Sequence, residues 1–320
     1  MAVDSRRRLV WLGLATIYVV WGSTYLGIRV MVETVPPLLG TGLRIFAAGS
    51  VFAAWVTAVR GRSALRVPRR AFAAAAAVGA LLLLGGNGMV AVAEQEAPSG
   101  LAALIIGAVP LWVVVLRLVW RERVPLVTLF GVGLGFAGVA LLVAPGDRPE
   151  DAPLWSLLLL VASSASWATG SFLSSRVPLP EDVVVATALE MLLGGALLIL
   201  AGLAAGEAAQ LQLGDLSGRS VAAFVYLLIA GSLVAFTAYV WLLQNVPVST
   251  VATYAFVNPV VAVLLGWVLL DEELTMSVIL GAVVIVLSVA FVVRKETTEP
   301  PARATAGPET AETLDIANPR

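Results

Sequence analysis

The sequence predicts an all-α integral membrane protein of ten transmembrane helices arranged as two inverted five-helix repeats. Three observations carry that prediction. The first is composition: hydrophobic residues make up 59 % of the 320 and charged ones 13 %, with a mean hydropathy of +0.95. A soluble domain is about 45–50 % apolar and about 25 % charged. The second is arrangement, because the apolar residues fall into blocks near 9–30, 37–59, 71–93, 97–119, 126–144, 154–175, 182–204, 219–243, 248–270 and 275–293. Each block is long enough to cross a hydrocarbon core of about 30 Å as a helix. The third is duplication. Pro98, Pro110 and Glu122 recur as Pro247, Pro259 and Glu272, at offsets of 149, 149 and 150 residues. Trp21-Gly22-Ser23 recurs as Trp167-Ala168-Thr169 and Leu43-Arg44 as Leu189-Glu190, both at an offset of 146, and Gly131 matches Gly281. Five crossings per copy is an odd number, so the copies run in opposite directions through the bilayer, as in many secondary transporters.

Along the chain, residues 1–8 read as a cytoplasmic N-terminus, 9–145 as the first repeat, 154–294 as the second and 295–320 as a disordered cytoplasmic tail. Ser5-Arg6-Arg7-Arg8-Leu9 before the first apolar run has the look of a twin-arginine export signal. The run is too long for a signal core and its pattern returns at Trp167, so it reads as a membrane helix. Span two carries Arg44, span three the run Gly85-Gly86-Asn87-Gly88, and span four Pro110. Span five carries Gly131, Gly135 and Gly138, the small-residue spacing of close helix packing against a neighbouring helix or a second subunit in a homodimer. Residues 145–153, rich in proline and acid, read as the linker between halves. Span six brings Ser163, Ser166, Trp167 and Thr169, span seven Glu190, span eight Tyr239, and span nine Tyr254, Asn258 and Pro259. After Arg294-Lys295 the chain turns to Thr, Glu, Pro and Ala, which cannot bury a core.

Charge sorts by loop. With the N-terminus inside, thirteen basic residues flank the cytoplasmic ends: Arg6, Arg7, Arg8, Arg60, Arg62, Arg66, Arg69, Arg70, Arg121, Arg123, Arg176, Arg294 and Lys295. Only Arg148 and Arg219 fall in the loops of the opposite face, which instead collects acids such as Glu33, Glu94, Glu207 and Glu272. The positive-inside bias therefore predicts both termini in the cytoplasm. With neither cysteine nor histidine, thiolate chemistry, disulfides and His/Cys metal sites are excluded. There is no Walker loop and no Gly-x-Ser-x-Gly elbow, so neither ATP-driven transport nor hydrolase chemistry is indicated, and no cofactor is expected. The cytoplasmic arginines are explained by topology, so no nucleic-acid partner is expected.

The groups left to carry function lie inside the spans. Pro110 and Pro259 occupy matching depths in spans four and nine, where proline frees a backbone carbonyl and kinks the helix. Paired breaks of this kind point to a substrate site near the midplane, and packing alone is the competing explanation. Trp21, Tyr25, Asn87, Trp167, Thr169, Tyr239, Tyr254 and Asn258 form the set from which a cavity for an amphipathic small molecule is drawn, although each also fits as core filling. Glu190 and Arg44 are the in-span charges, expensive in a bilayer and expected to face the bundle interior. Two readings are open for each: coupling of a proton to transport, or a fixed structural role. Arg29 and Arg117 lie near helix ends, where their side chains snorkel to the interface.

Trp21-Gly22-Ser23, Leu43-Arg44-Ile45-Phe46, Trp167-Ala168, and the end-of-span acids in Arg121-Glu122-Arg123 and Asp271-Glu272-Glu273 together resemble the drug/metabolite transporter superfamily, specifically its ten-helix EamA-type exporters. The likeness covers residues 9–294. It implies an inner-membrane secondary transporter working by alternating access, with export of amino acids, related metabolites or toxic compounds. A passive facilitator or channel, or a sugar-phosphate or nucleotide-sugar carrier of the same superfamily, is the alternative. The absence of histidine leaves Glu190 as the first choice for proton coupling, with Glu94 behind it.

Overall fold

The computed structural model describes residues 2–143, 152–212, 214–246, 248–251 and 253–298. These form helices α1 (Ala2–Met31), α2 (Pro37–Arg60), α3 (Arg69–Ala93), α4 (Ser99–Val119), α5 (Leu126–Val143), α6 (Leu154–Ser174), α7 (Val183–Ala204), α8 (218–245), α9 (Tyr254–Leu270) and α10 (Met276–Thr298). Among the described residues nine helices are long and apolar enough to cross a membrane, and Tyr254–Leu270 is a shorter apolar tenth. Helix α1 already begins at Ala2, so all but the first residue of 1–8 is helical, and α10 runs through Thr298, so the first four residues of the expected tail are helical too. The linker 145–153 lies largely outside the described residues, as does the tail from 299 onward.

Local chemistry sets most helix starts. Pro36, Pro68, Pro98 and Pro153 stand immediately before α2, α3, α4 and α6, in extended conformations that cannot continue a preceding helix. Asp182 caps α7 by accepting from Val184 N at 2.9 Å and Val185 N at 3.2 Å, and Ser217 caps α8 through Ser220 N at 3.0 Å. Two spans depart from α-helical winding in mid-course. Residues Ala80–Gly88 of α3 and Leu227–Val234 of α8 are π-helical, a wider turn concentrated at functional sites.

The halves interleave rather than sit side by side. Equivalent helices pair across the molecule, α2 with α7 and α5 with α10, while α1 packs on α8 and α9 and α6 packs on α3 and α4. The α2–α7 seam is a backbone-to-backbone approach. A Cβ on Gly42 would stand 2.8 Å from Ile199 N, and one on Gly195 would stand 2.7 Å from Phe46 N. Only small residues allow helices this close. The glycine stripe of α5 is likewise spent inside the chain, with Gly131 against Phe291 and Gly138 against Ile285 and Val284 of α10. It is a neighbouring helix, not a second subunit, that uses this stripe.

The connections gather at two ends. At one, Thr34 Oγ1 accepts from Ser217 N at 3.1 Å, and Arg29 Nη1 reaches Glu94 O and Gln95 O at 2.5 Å each. There the Glu207 carboxylate accepts from Leu38 N at 3.1 Å and Leu39 N at 2.7 Å, and that of Glu272 from Ser99 N at 2.6 Å and Gly100 N at 2.9 Å. Carboxylates from the second half thus cap α2 and α4 of the first, where the helix dipole favours negative charge. The other end is basic. Arg60 pairs with Asp182, and Glu122 accepts from Arg117 Nε at 2.8 Å and Arg176 Nη2 at 2.5 Å.

Candidate functional site

The two π-helical turns carry matching sequence. Gly86-Asn87 in α3 and Gly231-Ser232 in α8 lie 145 residues apart, each a glycine followed by a small polar residue. Each glycine receives a tryptophan from the opposite half. The Trp21 indole of α1 donates from Nε1 to Gly231 O at 3.2 Å. The Trp167 indole of α6 lies on Gly86 so closely that a Cβ there would stand 2.5 Å from the ring. Ser163 Oγ also donates to Gly86 O at 2.9 Å, and Ser166 Oγ to Leu81 O at 2.8 Å. The duplicated Trp motif thus meets the duplicated glycine in both halves but by different contacts, a hydrogen bond to the Gly231 carbonyl and ring packing on Gly86, whose carbonyl accepts from Ser163 instead.

Between these turns lies Arg44, 5 % exposed. Its Nη1 donates to Ser232 Oγ at 3.1 Å in α8 and its Nη2 to Asn87 Oδ1 at 3.5 Å in α3, while its Nε has no partner. Both acceptors are neutral, and among the described residues no carboxylate pairs with it. Glu190, its repeat counterpart, is half-buried in α7, where its backbone packs on Gly79 of α3. Arg44 and Glu190 do not form an ion pair.

Beside Trp21 an aromatic cluster closes. Its ring centroid is 5.1 Å from that of Tyr239 and 5.2 Å from that of Tyr254, the latter edge-on. One turn beyond Tyr254, Asn258 is 8 % exposed and its Oδ1 accepts nothing. Tyr18 and Thr253 hydroxyls bond to each other at the basic-end margin of this cluster, and Ser23 Oγ meets Tyr226 Oη at 2.5 Å deeper along α1.

The sequence-singled residues thus divide. Trp21, Tyr239, Tyr254 and Asn258 come together, and Arg44, Asn87 and Trp167 meet the same pair of π-turns. Tyr25 packs instead on the main core, and Thr169 Oγ1 bonds back to Ala165 O at 2.7 Å within its own helix. The prolines behave differently from each other. Span four breaks, with Ser99–Ile106 ending at Gly107 and a new helix starting at Val109, one residue before Pro110. Span nine continues through Pro259 as one helix. The two spans nonetheless cross at this level, because a Cβ on Gly107 would stand 2.8 Å from Pro259 Cγ. Ser232 and Gly231 were not among the residues singled out above, although the glycine-polar pair repeated in mid-span is a visible signal for them.

Glu94 follows α3 at the acidic end, fully buried, with neither carboxylate oxygen accepting a hydrogen bond. Burial pushes its carboxyl well above the ordinary range, neighbouring Glu272 adds to this and Arg29 opposes it. At the basic end the Arg117 hydrogen bond, against some burial and with help from Arg176, holds Glu122 below that range. Among the described residues no cluster of acids is arranged to hold a metal ion.

The EamA-like transporter family matches this chain twice, over residues 9–144 and 154–294. The chain belongs to the EamA-like transporter family. It is a multi-pass membrane transporter. This EamA-like chain is 40 % identical over 280 residues to the inner membrane transporter YedA of Escherichia coli (strain K12), covering 87 % of this chain and 89 % of that one. It is 22 % identical over 278 residues to the transporter YoaV of Bacillus subtilis (strain 168), covering 86 % and 94 %. The fold is shared with a crystal structure of 24 % identity and TM-score 0.58, covering 91 % of this chain and 99 % of that one.

Proposed function

We propose that this transporter exports amino acids, related metabolites or drugs by alternating access in a bacterial-type cytoplasmic membrane, with both termini inside. The two family copies, each of five spans, are then inverted relative to one another, and the acidic end faces outward. The observation that carries this reading is that a tryptophan of each half reaches the π-turn of the other, Trp21 by a hydrogen bond to Gly231 O and Trp167 by packing on Gly86, with Arg44 between the turns. A site built equally by both halves is the place where rocking one half against the other changes access. YedA's description as an inner membrane transporter supports the location.

Substrate enters from the cytoplasm, is held between the π-turns, and leaves when the acidic end parts. Glu190 couples a proton to that exchange. Purified protein in liposomes should show saturable flux and counterflow with at least one member of a panel of amino acids and aromatic drugs. Flux that never saturates and lacks counterflow would identify a channel instead. Glu190→Gln should flatten the pH dependence of flux, and an unchanged profile would remove Glu190 from coupling.

A further inference from the structure

Arg44 is the one group in the site whose electrostatics are unfinished. Arg44 is 5 % exposed, has only neutral acceptors among the described residues, Ser232 Oγ and Asn87 Oδ1, and leaves Nε unbonded. Buried charges are normally paired. Guanidinium is also the side chain best matched to a carboxylate, presenting parallel N–H donors in a rigid fork. The Asn87 contact, at 3.5 Å, is at the limit of a hydrogen bond and easily exchanged for a better acceptor.

The surroundings set the rest of the ligand. Ser232 follows Gly231 in the same π-turn, so the guanidinium and the Trp21 indole are anchored on consecutive residues. From Trp21 the aromatic surface continues to Tyr239 and Tyr254, and Asn258 Oδ1 beyond them is a buried acceptor without a donor. Cation, apolar wall and lone acceptor therefore follow one another through the bundle. Resting on the transporter reading above, we propose that Arg44 is the anchor for a carboxylate on the transported solute. The solute is a small organic monocarboxylate with an apolar or aromatic body packed on Trp21 and a hydrogen-bond donor facing Asn258. One guanidinium balances one negative charge, so a dianionic phosphate is a poor match.

Binding and flux separate this proposal from the transporter reading. Intrinsic tryptophan fluorescence of the detergent-purified full chain is titrated with matched probes: phenylacetate against phenylacetamide, and L-phenylalanine against L-phenylalaninamide. In the wild type the carboxylates bind about 10- to 100-fold more tightly than their amides, the range expected of a charge-assisted hydrogen bond. Arg44→Gln abolishes that preference, and Arg44→Lys retains part of it. Equal affinity for carboxylate and amide in the wild type, or no binding of either carboxylate, overturns the proposal without any variant needing to fold. If the preference stands but liposomes show no flux, the carboxylate site stands and the transporter reading falls. If flux is saturable yet indifferent to carboxylate and to Arg44→Gln, the reverse holds.

Discussion

Glu94 shows what a single side chain does when burial leaves it without partners. Neither of its oxygens accepts a hydrogen bond, and Glu272 lies near enough to disfavour ionisation further, so its carboxyl is neutral well above the ordinary value of 4.5. The unfolded chain ionises at that ordinary value. The stability this group contributes is therefore complete below about pH 4.5 and declines as pH rises toward the folded value. Glu94→Gln is neutral throughout and should remove that part of the decline. Thermal unfolding midpoints of the two proteins from about pH 5 to about pH 9 would test this: parallel curves would show that Glu94 is not held neutral. Arg44 presents the opposite case, a charge that cannot be neutralised and so must await an anion. A cation at the bilayer centre costs about 2.5–3.5 kcal/mol on insertion scales, which is a large fraction of a domain's net stability. Its retention with no acidic partner among the described residues fits a binding group better than a packing one.

At the scale of elements, glycines decide where helices touch. A Cβ on Gly195 would stand 2.7 Å from Phe46 N and 2.9 Å from its Cα, atoms that cannot swing aside as a side chain does. Gly195→Ala should push α7 off α2 and cost about 1–3 kcal/mol, as overpacking does. Gly133→Ala on α5 meets nothing within 4 Å and should be neutral or mildly stabilising. Unfolding midpoints in detergent that rank the two equally would contradict the close α2–α7 seam. The helices themselves were readable in the sequence, because apolar runs bounded by Pro36, Pro98, Pro153, Asp182 and Ser217 state their length and their starts. The π-turns were not, since an unbroken apolar run does not encode whether the backbone winds at i+4 or i+5. Nor were the caps from Glu207 and Glu272, whose partners lie 168 and 173 residues away. Arg44 was visible as a buried charge, but its acceptor Ser232, 188 residues on, became evident only once α2 and α8 were packed together. Pro259 lies within α9, which runs as one helix, whereas in the matching span the discontinuity falls at Gly107, just before Pro110.

For the whole molecule, alternating access requires the acidic end to open, and the contacts there join one half to the other. Thr34 precedes α2 in the first half and Ser217 precedes α8 in the second, and Ser217 N donates to Thr34 Oγ1 at 3.1 Å. The chain contains no cysteine, so a pair placed at these positions is the only oxidisable pair present. In Thr34→Cys/Ser217→Cys, oxidation should join the halves and stop flux in liposomes, and reduction should restore it. Each single variant should transport normally under both conditions, which separates cross-linking from damage at either position. The same cysteines report sidedness, because an impermeant thiol reagent added to intact cells should label them from outside if the basic end faces the cytoplasm. A transporter that only rearranges within its core would carry substrate equally well with the pair oxidised. Full flux after cross-linking is verified by mass spectrometry would therefore exclude an exit path through the acidic end, and with it the exchange of halves on which export depends.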